Sequence, residues 1–134
     1  MKRGYCDNIE KLTVENEDFR RVLYTGKHLQ LVLMTLQPGD EIGSEVHEDR
    51  DQFFRIDKGE GAVDIDGAEN KVSDGSGVIV PAGARHNVRN TGSAPLRLYT
   101  LYGPPEHKDG ITQATKADAD ARHAHEEWDG ATTE

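Results

Sequence analysis

A chain of 134 residues is long enough to enclose one hydrophobic core and too short for two ordinary domains, so a single core is expected. Its composition, 34% hydrophobic and 31% charged with 14 Gly and 5 Pro, suits short strands and turns better than a helical bundle. A formal net charge of −9 argues against a polyanion such as nucleic acid, and no run approaches the ~20 apolar residues that span a bilayer.

The start, from Met1 to Asp7, has no apolar stretch of the secretory kind, so a cytoplasmic protein with a small-molecule ligand and no membrane contact is the expectation. Cys6 is the only cysteine, which rules out an intrachain disulfide and leaves packing, helped by a metal ion, to hold the fold.

Residues 1–18 read as an N-terminal extension outside the core, with polar residues outnumbering apolar ones from Asp7 to Asp18. From Phe19 to Pro105 short apolar or β-branched runs alternate with turn residues, the spacing of an all-β barrel or sandwich. Strands are predicted at 19–24, 29–36, 41–46, 52–57, 61–65, 69–72, 77–80, 86–90 and 96–102. The turns between them are rich in Gly and Pro, and Asp66-Gly67 is the strongest two-residue hairpin signal. The run from Leu29 to Leu36 is apolar at nearly every position, which predicts a strand covered on both faces, central in the sheet or buried in a homodimer. Residues 106–134 carry no β signal and read as a loose polar tail with one helix, whose apolar face is drawn from Ala117, Ala121, Ala124 and Trp128.

Two stretches carry chemistry. In the first, Glu45 and His47 lie two apart on one predicted strand and so project from one face, while the short turn Glu48–Asp51 returns Gln52 to the level of His47. In the second, a strand ends in Pro81-Ala82-Gly83 and delivers His86 onto a new strand, where it can close a site for one divalent ion. Taken alone, Glu45 and His47 also fit a solvated strand edge, since Glu48, Asp49, Arg50 and Asp51 follow directly. Phe54 shares the parity of Gln52 and is the candidate wall of a substrate pocket, with core packing as the alternative role.

The spacing of the two stretches resembles the paired motifs of the cupin superfamily. The second motif is matched throughout, by Gly75, Pro81, Gly83, His86 and Asn90. The first is matched at Gly39, His47 and Gly59 but has Glu45 in the place of the usual first His and Gln52 in the place of the usual Glu. The resemblance implies an antiparallel double-stranded β-helix, or jelly roll, over residues 19–105 with a metal held by Glu45, His47, Gln52 and His86. The exchange keeps the ligand charge at −1, because the carboxylate has moved rather than vanished.

Two His and one carboxylate also suit non-haem Fe(II), although Mn, Ni and Zn remain open because ligand type alone does not choose among them. The expected function is an enzyme acting on a small oxygenated molecule that chelates the metal, with dioxygenase-type chemistry favoured over isomerase chemistry. The alternative is a non-catalytic ligand-binding or sensing barrel. No catalytic residue beyond the metal ligands is named by the sequence, and pairing into a homodimer is expected from the apolar strand and from the resemblance.

Overall fold

Alternation along the strands builds the interior. In the strand 96–103, Leu96, Leu98, Thr100 and Tyr102 are buried while the intervening side chains are not, and the strand 51–58 buries Gln52, Phe54 and Ile56 in the same way. The computed structural model describes all of residues 1–134. Its elements are α1 (Ile9–Glu15), β1 (Arg20–Thr25), β2 (Gln30–Leu36), β3 (Glu45–Val46), β4 (Asp51–Lys58), β5 (Gly61–Ile65), β6 (Ala68–Val72), β7 (Gly77–Val80), β8 (Arg85–Asn90), β9 (Leu96–Gly103), β10 (Thr112–Gln113) and α2 (Lys116–Arg122).

A six-stranded sheet of order β10-β1-β2-β9-β4-β7 faces a four-stranded sheet of order β3-β8-β5-β6, and every pairing is antiparallel. This is an all-β barrel, as the strand pattern predicts, with the jelly-roll form that the resemblance implies. The two inner faces share one core that includes Val32, Met34, Phe54, Ile56, Val63, Val88 and Leu98. Burying each large apolar side chain contributes about 1.5–3 kcal/mol. Asp66 and Gly67, at φ 46° and 84°, close the β5–β6 hairpin, a turn that needs left-handed backbone at both central positions.

Strand β2 is buried on both faces, as its apolar run predicts. It lies between β1 and β9, and α1 packs across the outer side of β2, β4 and β9. The first 18 residues are therefore part of the packed structure rather than an extension free of the core. Thr13 and Asn16 are buried, Asn16 Nδ2 donates to Thr35 Oγ1 (2.9 Å), and Thr35 Oγ1 donates to the Asn16 carbonyl (2.7 Å). Polar residues can cover a sheet in this way when their hydrogen bonds are met.

Two other expectations change. The predicted strand 41–46 survives only as Glu45–Val46, because Gly43 at φ +112° breaks the ladder and its N–H is taken by Asn87 Oδ1 (2.8 Å). Glu41 keeps an isolated bridge to Arg89. The tail is not loose: β10 extends the large sheet beside β1, and Ala119 of α2 is buried, whereas Ala117, Ala121 and Ala124 are exposed. Its end returns to the start of the chain, where the Glu134 carboxylate accepts from the Arg3 and Gly4 N–H groups and from Tyr24 Oη. No helix is long and apolar enough to cross a membrane.

Candidate metal centre

Strand pairing assembles the site. Glu45 of β3 stands directly opposite His86 of β8, so the two side chains share a face, and His47 follows Glu45 by two residues. Beyond His47 the chain turns through Glu48–Arg50 into β4, and the turn is fastened by Gly83 N–H donating to the His47 carbonyl (2.9 Å) and Ala82 N–H donating to Asp51 Oδ1 (2.9 Å). Ligand-capable atoms of Glu45, His47 and His86 all lie within 4.8 Å of one another. The two imidazole rings are 5.3 Å apart, centre to centre.

Each ring is oriented by a group on its far side. His86 Nδ1 lies 3.1 Å from the Ala84 carbonyl, which can only accept, so the proton sits on Nδ1 and the Nε2 lone pair is left for a ligand. His47 Nε2 is 3.0 Å from Glu45 Oε2, and its Nδ1 is 3.5 Å from Glu106 Oε2, an ion-pair rather than a hydrogen-bond separation. Glu106 is itself held by Arg50 Nε at 3.0 Å. The Glu45 carboxylate, which accepts from the His47 ring, raises the His47 pKa above its ordinary value, against the effect of burial. Burial works to raise the Glu45 pKa, but the hydrogen bond and charge of His47, with the charges of Arg20 and His86, outweigh it and leave the carboxyl low.

Gln52 comes into the same patch from the opposite sheet, paired with Tyr102 and 3% exposed. Its amide orientation is fixed by Thr100. The Thr100 hydroxyl donates its proton to the Phe53 carbonyl (2.8 Å), so it can only accept from position 52, and Gln52 Nε2 is the donor (3.0 Å). Gln52 Oε1 is consequently buried with no hydrogen-bond partner. A carboxylate here could be met by Thr100 only if the hydroxyl turned its proton away from the Phe53 carbonyl.

The donors suit a divalent ion. Two imidazoles with oriented far sides, one ionised carboxylate and one orphaned buried carbonyl oxygen are the groups such an ion takes. Phe54 lies beneath them, 1% exposed with its ring 6.4 Å from that of His86, so it forms the packed floor of the site. Asn90, the last motif residue, is a structural clamp: Nδ2 donates to the Leu36 and Ala94 carbonyls and Oδ1 accepts from Gly92 N–H.

Several polar residues near the centre carry roles that the sequence does not declare. Glu106 and His107 fall in the stretch read as tail, yet both reach the centre. His107 is 7% exposed, its Nε2 is 3.2 Å from Tyr102 Oη, and burial together with the charge of Arg20 pushes its pKa well down. Tyr102, 1% exposed and 6.2 Å from the His47 ring, is pushed well above the usual phenol range by burial. The only local signal was a Pro-Pro-Glu-His sequence directly after a strand. His28, His123 and His125 are exposed and stand outside the cluster.

Comparison with known proteins agrees with this architecture. A family profile described as a cupin domain matches residues 32–102. YrkC of Bacillus subtilis is 47% identical over 123 residues, 87% of this chain and 66% of the relative, so the chain spans about two thirds of that protein's length. A Bacillus halodurans protein of known crystal structure shares 45% identity with a TM-score of 0.87, covering 89% of this chain and 95% of that one. A Thermotoga maritima structure, described as a predicted oxalate decarboxylase, is 26% identical with a TM-score of 0.56 over 58% of this chain and 68% of its own. The barrel, both spaced motifs and these likenesses together establish that the chain belongs to the cupin family.

Proposed function

We propose that the chain is a metal-dependent enzyme acting on a small oxygenated molecule that chelates an ion held by Glu45, His47 and His86, with Gln52 as a weaker fourth donor. The observation that carries this reading is the convergence of three ligand atoms within 4.8 Å on an inward-facing patch. Two imidazoles and a carboxylate leave positions open on an ion, the arrangement suited to Fe(II) and to oxygenase-type chemistry. When bound, the ion supplies Lewis-acid polarisation of a chelated oxygen and, if redox-active, a route for electrons to O2.

The chain's own residues have separable tasks. Glu106, itself held by Arg50, faces the far nitrogen of His47, and the Ala84 carbonyl holds that of His86. Tyr102 keeps its proton at neutral pH and so serves as a donor beside His107, which stays neutral. Phe54 and Val88 keep water from the floor.

The test is metal content followed by turnover. Protein purified without an affinity tag and incubated with Fe(II), Mn(II), Ni(II) or Zn(II) is expected to hold about one ion per chain, and His86→Ala to lose most of it. Oxygen uptake is then followed with diketones, catechols and small dicarboxylates, the last suggested by the Thermotoga relative. A metal content below ~0.2 per chain with every ion would overturn the reading. Full metal with no turnover across the panel would favour a ligand-binding barrel.

A further inference from the structure

We infer that Arg20 anchors an anionic group, a carboxylate, on the molecule that chelates the ion; this rests on the metal-dependent reading above and adds the charge class of the ligand. Arg20 opens β1 and alternates with Val22, so both point inward, and Arg20 is only 6% exposed. Its one hydrogen bond runs from Nη1 to the neutral Gln113 Oε1 (2.7 Å). Nε is enclosed with no acceptor, and the guanidinium lies 5.3 Å over the Phe19 ring.

Arg50, Arg55, Arg89, Arg97 and Arg122 are all more exposed, and each pairs with a carboxylate. Arg20 is the most buried of these cations and has none. A guanidinium carries five N–H donors and is costly to enclose without a counter-charge, so one held this way is poised for an anion that arrives with the ligand.

Its place in the fold fits that task. Lys116 Nζ lies 5.9 Å over the Phe19 ring and 4.0 Å from where a side chain on Gly43 would begin, so the start of β1 borders the residues leading into Glu45. The Arg20 charge acts on Glu45, Tyr102 and His107. With neutral imidazoles, the single charge of Glu45 leaves a divalent ion and Arg20 with two positive charges uncompensated, while Glu106 is matched by Arg50. A chelator that also carries a carboxylate completes the balance.

The experiment uses the full chain loaded with Co(II), whose visible spectrum reports ligand binding without turnover. Metal content is measured first, and failure to load counts against the proposed function rather than against this inference. The probes are 2,3- and 3,4-dihydroxybenzoate, each compared with its neutral benzamide, so that the chelating oxygens are the same and only the carboxylate differs. At least one acid is expected to bind roughly tenfold or more tighter than its amide, the scale of a charge-assisted hydrogen bond. Arg20→Met is expected to erase that preference at unchanged metal content and amide affinity, and Arg20→Lys to retain part of it. Equal binding of acids and amides by the native protein overturns the inference, as does a preference that survives in Arg20→Met. Should Arg20→Met not fold, the native protein and Arg20→Lys decide: a preference that is present and reduced by Lys supports the anchor, and one that is absent or undiminished refutes it.

Discussion

Replacing Gln30 by Met isolates the device that carries the segment after β9 back to the candidate metal centre. Gln30 is 0% exposed and makes four hydrogen bonds. Nε2 donates to Thr25 Oγ1 (2.9 Å) and to the His107 carbonyl (2.7 Å), while Oε1 accepts from the Glu106 and His107 N–H groups (3.1 and 3.0 Å). Methionine fills similar space and makes none of them. At a net worth of about 1 kcal/mol for each bond the loss comes to about 4 kcal/mol, and it is not softened by water because the His107 backbone is left buried without partners. That is a large share of the roughly 5–15 kcal/mol that holds a domain together. Urea unfolding followed by circular dichroism and by the fluorescence of Trp128, the single tryptophan, should show a lower midpoint at an unchanged slope. Metal affinity should fall in parallel, because Glu106 loses the backbone bond that sets it against His47. A loss under about 1 kcal/mol would refute this account of how the segment is held.

Glu106→Gln keeps the shape but removes the negative charge beside His47 Nδ1, and metal affinity is expected to drop roughly 10–100-fold with the fold intact; competition with a chromophoric chelator measures it, and an unchanged affinity would deny Glu106 that role. His107 sets an acid limit on stability. Its folded pKa is depressed below the ordinary 6.5 by burial, so the unfolded chain binds a proton that the folded chain refuses. Its contribution is fully present above about pH 6.5 and declines below it by up to about 1.4 kcal/mol per pH unit until its folded pKa is reached. Chemical unfolding at a series of pH values should find that increment in the native protein and not in His107→Gln; identical slopes would show that His107 is not the acid-sensitive group.

Much of the barrel was legible because its cause is local. Period-two alternation in β4, β8 and β9, the left-handed turn at Asp66-Gly67 and the Pro-x-Gly frame before His86 act over a few residues, and nine of the ten strands stand near their expected places. The convergence of Glu45, His47 and His86 was legible for the same reason. Glu45 and His47 share a face by spacing alone, and one antiparallel pairing sets His86 opposite Glu45.

Other features were decided at longer range. Gly43 reads as an ordinary strand glycine until the Asn87 side chain of the neighbouring strand β8, distant in sequence, takes its N–H. Residues 9–15, with Ile9, Leu12 and Val14 among polar neighbours, declare no core role, yet α1 covers the outer side of β2, where Asn16 and Thr35 exchange hydrogen bonds. Arg20, Gln30, Glu106 and His107 lie far apart along the chain, and no short window of sequence distinguishes them from surface residues. Strand and turn are set by sterics between neighbours, which the sequence determines by itself. The burial of a polar side chain depends on partners that only the closed barrel brings within hydrogen-bond reach, so the surroundings of the candidate metal centre belong to the tertiary structure.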